Sequence, residues 1–190
     1  MLAQLRAAVV ALLALTLLTG VAYPIVVTVV ARAAFAKQAG GSLIHDNGRV
    51  RGSVLLGQPF EEPKYFWGRL SATSPFPYNA GASAGSNFGP SNTALIDAAR
   101  ARIEALRAAD PGNVAPVPVD LVTSSASGLD PHVSPASAAY QSARVARVRG
   151  LDAARVQSLV AAHTENADLG FLGEPRVNVL ALNMALDRLQ

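Results

Sequence analysis

AAVVALLALTLLTGVAYPIVVTVVA, Ala7 to Ala31, is an uncharged run of 25 residues bracketed by Arg6 and Arg32. At about 1.5 Å rise per helical residue it exceeds the roughly 30 Å hydrocarbon core of a bilayer. This stretch decides the solvent of everything that follows. Residues 32–190 are long enough for one domain with its own core. The expected architecture is a single N-terminal transmembrane helix followed by one α/β (α+β) domain.

The run reads as a retained anchor, because a secretory signal carries only about 7–15 apolar residues. Ala34-Phe35-Ala36 still matches a small-residue cleavage site, and no cysteine is present for a lipid modification. Pro24 is expected to kink the helix or free a carbonyl. Thr16, Thr19 and Gly20 permit close helix approach without forming a GxxxG motif. Orientation stays open: Arg32, Lys37, Arg49 and Arg51 outnumber Arg6 and the amino terminus, but long domains translocate largely regardless of charge.

The net charge of +3 is the small difference between 16 basic and 13 acidic residues, and the arginines are scattered. No aromatic-interleaved basic patch suggests nucleic acid. The expected layout is a short tail over 1–6, the membrane helix over 7–31, a helical extension or linker over 32–48, and the α/β domain over 49–190.

Within that domain, residues 49–57 read as a strand bounded by glycines. Residues 70–92 form a long polar loop, with Phe76, Tyr78 and Phe88 favouring order. Ser91 or Asn92 caps a helix presenting Leu95, Ile96, Ala99, Ile103 and Leu106 on one face, and Asp110-Pro111-Gly112 stops it. Val117, Val119, Leu121 and Thr123 alternate as a strand. Ser134 with Pro135 opens a helix to about Arg149, and Asp152 caps the next. A strand over 177–179 and a helix over 181–189 close the chain.

Four constellations bear on chemistry. Ser124, Ser125 and Ser127, with Asp130 and His132, supply the residue types of a hydrolytic triad, so an anchored extracytoplasmic serine hydrolase is the competing reading. No G-x-S-x-G elbow is present, and such crowding more often builds a turn. His45, His132 and His163 lack metal-ligand spacing, and no metal is expected. The glycine-rich loop before residue 92 lacks G-x-x-x-x-G-K-[ST], and Pro90 removes a donor. Tyr140, Arg144 and Arg147 with Gln141 read either as a solvated helix face or as a polar contact surface.

Several ordered motifs carry a resemblance. They are Gly57-Gln58-Pro59-Phe60, Tyr65-Phe66-Trp67-Gly68-Arg69, Ser71-Ala72 with Tyr78-Asn79-Ala80, and Gly85 through Asn92. Thr123 through Pro135, Tyr140-Gln141 with Arg144-Val145-Ala146, and Gly173 through Asn183 complete the set. Together, behind one anchor, they resemble the C subunit of the bacterial potassium-transporting Kdp ATPase (KdpC). Leu70 and Ala84 depart from residues common in that family, which weakens inferences about those two loop backbones.

The resemblance implies a non-catalytic subunit of a complex that imports K⁺ at the expense of ATP. Its implied partners are a channel-like subunit (KdpA), a P-type ATPase subunit (KdpB) and a small membrane subunit (KdpF). It implies a bacterial inner membrane location with the domain outside the cytoplasm. It also implies a chaperone-like role that raises the ATP affinity of the pump subunit, with Ser125, Ser127, Gly128 and Gln141 as candidate nucleotide contacts. An outer domain reaches cytoplasmic ATP poorly across a roughly 30 Å core, which favours assembly and cover of the ion entrance instead.

Overall fold

The computed structural model describes residues 2–189, and the chain divides into two units between Arg51 and Gly52. In the first unit, α1 (Leu2–Leu17), one π turn (Leu18–Ala22) and α2 (Tyr23–Ala34) run on as one helix of 33 residues, long and apolar enough to cross a membrane. None of its most apolar window is buried within the protein. The expected disturbance at Pro24 takes the form of that π turn: the Tyr23 N–H reaches back to the Leu18 carbonyl just before the residue that has no N–H to offer. The Thr19 hydroxyl donates to the Leu15 carbonyl at 2.7 Å, so its own helix satisfies it.

Phe35, at φ −133°, interrupts the helix, and α3 (Ala36–Ala39) adds a single turn. A hairpin then follows, β1 (Leu43–Asp46) and β2 (Arg49–Ser53). Its turn is Asn47-Gly48, at φ 50° and 74°, the dipeptide that two-residue hairpins prefer. A strand therefore occupies part of 32–48, where the sequence suggested only a helical extension or linker. β2 stops at Ser53 rather than Gly57 because Ser53 accepts from the N–H groups of Leu55 (on Oγ) and Leu56 (on its carbonyl), which turns the chain.

In the second unit, α4 (Thr93–Ala109) is capped by Asn92, whose side chain accepts from Ala94 N–H at 2.9 Å. α5 (Pro135–Arg149) is capped by Ser134 and α6 (Ala153–Ala162) by Asp152. β3 (His132–Val133), β4 (Thr164–Glu165) and β5 (Arg176–Asn178) form a small antiparallel sheet in the order β3-β5-β4, with His132 opposite Asn178 and Thr164 opposite Val177. Asn178 ends β5 and caps α7 (Val179–Asp187), two residues earlier than the helix expected from the sequence.

Residues 117–123 are not a strand. Val119–Leu121 form a single 3-10 turn. Pro116 and Pro118 remove two ladder donors, and the alternation of apolar residues cannot replace them. The core gathers Val145 and Ala138 of α5, Val156 and Val160 of α6, Val177 of β5, and Leu182 and Leu186 of α7 around Phe66, Trp67, Leu106 and Leu121.

Candidate functional site

Phe66 and Trp67 lie in no regular element, yet both are buried. Their backbone groups still need partners, and two side-chain amides provide them. Asn183 on α7 accepts from Phe66 N–H and donates to Phe66 C=O, both at 2.9 Å. Gln141 on α5 accepts from Trp67 N–H at 2.8 Å and donates to Trp67 C=O at 3.1 Å. The same Gln141 amide donates to Ser137 C=O and accepts from Arg144 Nη2 at 2.7 Å. Its hydrogen-bonding capacity is filled.

Arg144 is buried too. It donates to the Pro63 carbonyl and lies 5.0 Å from the Trp67 ring, and Arg102 lies 4.9 Å from the same ring. Burial pulls the Arg144 guanidinium down to about 10, which leaves it charged at neutral pH. Tyr140, Arg144 and Arg147 therefore do not form one solvated face. Tyr140 is half-buried, and Arg147 is exposed and paired with Asp110 at 2.7 Å.

The motif-bearing loops meet around Ser71 and Tyr78. Ser71 Oγ donates to Gly128 C=O at 2.6 Å and accepts from Tyr78 N–H at 2.9 Å. Thr73 Oγ1 donates to Phe76 C=O and accepts from Asn79 N–H. Tyr78 Oη donates to the Arg69 carbonyl at 2.6 Å. A Cβ on Gly57 would stand 2.2 Å from the Tyr78 ring, and one on Gly68 would stand 2.7 Å from its hydroxyl, so both glycines exist to admit this tyrosine. Burial raises the Tyr78 phenol to about 12. The 70–92 loop is ordered mainly by these hydroxyls, since Phe76 and Phe88 point outward.

The second loop, 124–130, presses on the first backbone to backbone. Ala84 N–H and Ser83 Oγ both donate to the Ser127 carbonyl, and Gly57 N–H donates to the Leu129 carbonyl. Ser125 and Gly128 are buried, and of these loop candidates Ser127 alone is exposed. Ser125 Oγ and Ser127 Oγ lie 3.5 Å apart, and Ser127 Oγ accepts from Leu129 N–H. The four candidate nucleotide contacts do not form a cradle: three belong to this turn, and Gln141 is closed on Trp67.

Asp130 and His132 do pair, with Oδ1 and Nδ1 3.2 Å apart, and Arg69 Nη1 donates to the other Asp130 oxygen at 3.1 Å. Burial alone would raise the Asp130 carboxyl. Hydrogen bonds from the His132 ring and N–H, with the charges of His132 and Arg69, outweigh burial and hold it below the usual carboxylate range. Among the described residues no serine hydroxyl hydrogen-bonds to His132: Ser124 donates to Ser86 and Ser134 to Asp120. His45 lies in β1 and His163 ends α6. Among the described residues no group of three or more His, Asp or Glu could hold a metal ion.

Sequence reasoning missed Phe66, Trp67 and Asn183 as a unit. The available signal was the Tyr65-Phe66-Trp67 aromatic cluster, too large to leave in water and without helical or strand period.

A family model described as K⁺-transporting ATPase, c chain, matches residues 5–188. The potassium-transporting ATPase KdpC subunit of Sorangium cellulosum is 65% identical over 187 residues, covering 98% of each chain. That of Methylococcus capsulatus is 60% identical over 190 residues, the full length of both, and that of Ralstonia nicotianae is 64% identical over 186 residues, covering 98% of this chain and 91% of the relative. An N-terminal apolar helix, a mixed helix-and-sheet unit built on these motif loops, and matches along essentially the whole length together establish that this chain belongs to the KdpC family of potassium-transporting ATPase subunits.

Proposed function

We propose that the chain is a non-catalytic accessory subunit that anchors in the bacterial inner membrane and assembles with a channel-like subunit (KdpA), a P-type ATPase subunit (KdpB) and a small membrane subunit (KdpF). Its second unit lies outside the cytoplasm, where it serves assembly and covers the ion entrance. The observation that carries this reading is the 33-residue helix, long and apolar enough to cross a membrane, in a chain that belongs to a family of transporter subunits. The commitment of the motif side chains to holding loop backbone supports a docking platform over a catalytic centre.

Deleting residues 1–31 in cells that co-express the other subunits tests this. The expected result is loss of co-purification and of growth at low K⁺; stoichiometric assembly without the helix overturns it. Placement follows from a single-cysteine variant, because the chain has no cysteine of its own. Val114→Cys, at a site 97% exposed, should react with an impermeant maleimide from outside intact spheroplasts. Labelling only after lysis puts the unit on the other side.

A chaperone-like effect on ATP affinity needs a contact that this chain can offer. Gln141 has none left, so such contact falls to the 125–128 turn and within it to Ser127. Ser127→Ala in the assembled complex should leave the ATP dependence of turnover unchanged if cover and assembly are the whole role. A raised ATP requirement would restore the nucleotide reading.

A further inference from the structure

We propose that the turn Asp168–Leu172 is a docking knob that seats in an apolar socket with a basic rim on another subunit of the assembly. The inference rests on the accessory-subunit reading above and names where such contact is made.

Leu169, Phe171 and Leu172 are 82%, 75% and 50% exposed, three large apolar side chains within four consecutive positions. Scattered exposed leucines need no explanation, but a cluster at one tip does. The tip is also closed by its own backbone hydrogen bonds. Asp168 and Leu172 exchange two backbone hydrogen bonds of 2.9 Å, and Gly170 N–H donates to Ala167 C=O at 3.0 Å. Leu169 and Gly170 stand at φ 55° and 82°. They are the central pair of the β-turn that Phe171 N–H closes on Asp168 C=O at 3.3 Å; two consecutive positive-φ positions favour Asn-Gly or Asp-Gly, and a leucine in left-handed conformation is strained. The backbone holds this strain while aiming an apolar side chain at solvent, an arrangement typical of binding sites.

Charge selects the occupant. Glu165, Asp168 and Glu174, within or next to the segment that carries the tip, are exposed. Arg176 pairs with Glu165 at 3.1 Å, whereas Asp168 and Glu174 form no ion pair among the described residues. Segments that lie on lipid surfaces surround their apolar residues with Lys and Arg, and anionic headgroups repel an acidic rim. A protein socket lined by apolar groups and edged by Lys or Arg complements both features. Its preorganised leucine and phenylalanine would enter with little ordering of the chain.

The test uses the full chain co-expressed with the other subunits. In Leu169→Asn/Phe171→Ser the turn becomes Asn-Gly, so the unfolding midpoint of the purified chain should hold or rise. Recovery of the complex should fall by about tenfold or more, as for loss of a central anchor. Undiminished recovery overturns the knob and leaves the accessory-subunit reading standing, whereas failure of the unmodified chain to assemble overturns both. Should the double variant not fold, Leu169→Cys carrying an environment-sensitive fluorophore decides. A blue shift only when the other subunits are added supports the socket. A shift in vesicles of phosphatidylethanolamine and phosphatidylglycerol without them points to lipid and overturns it, as does no shift in either.

Discussion

Gln141 and Trp67 are 74 residues apart, yet the side-chain amide of the first closes on both backbone groups of the second, at 2.8 and 3.1 Å. Asn183 does the same for Phe66. Two helices thus hold one irregular dipeptide as a sheet would hold a strand, using side chains in place of a ladder. The pairing lets two large aromatic residues enter the core without leaving peptide groups unpartnered.

Gln141→Ala should lower the unfolding free energy by about 2–4 kcal/mol, because it strands Trp67 N–H and C=O and removes a partner of Arg144. Denaturant titration of the full chain in detergent checks this. A loss below about 0.5 kcal/mol, the scale of an ordinary surface change, would mean that water replaces the amide.

Gly57→Ala should destabilise by about 2–3 kcal/mol through overpacking against Tyr78. The cost should shrink in Gly57→Ala/Tyr78→Ala relative to the sum of the single changes, since the second substitution removes the ring that clashes. Strict additivity in the double-mutant cycle would show that the two sites do not touch.

Burial raises the Tyr78 phenol to about 12. The fold favours its neutral form, so its contribution is complete below the ordinary value near 10 and is lost as pH rises toward 12. Phenolate absorbance should show a late component near pH 12 that is lost in Tyr78→Phe.

Asp130 behaves oppositely. Its folded value is depressed, so its stabilisation is present at neutral pH and is lost as pH falls through that value. Denaturant midpoints followed from neutral into acid should decline less steeply in Asp130→Asn, which starts from a lower midpoint. An unchanged acid limb would show that Arg69 and His132 do not hold the carboxylate.

The hydrolase alternative predicts a serine adduct, whereas the geometry predicts none, with the serine hydroxyls hydrogen-bonded away from His132. A fluorophosphonate should leave the protein unlabelled. An adduct lost in Ser127→Ala would reverse this conclusion.

The apolar helix was legible in the sequence because twenty-five uncharged residues have one good solvent, whatever the rest of the chain does. Ser134 with Pro135 and Asp152 were legible as caps, and Asn92 as one of two candidates beside Ser91, because a cap bonds an amide two or three residues away. The Asn47-Gly48 hairpin was equally local, and its dipeptide was there to be read. Residues 117–123 misled because alternation signals a strand, whereas the donors that Pro116 and Pro118 lack decide whether one can pair. The roles of Gln141, Asn183, Arg144 and Tyr78 came only with the tertiary structure. Each is a polar residue whose partner lies on a distant segment, and long-range pairing leaves no period along the chain. That is why Gln141 could be read as a ligand contact and Arg144 as part of a solvated face, although both are buried partners of Trp67.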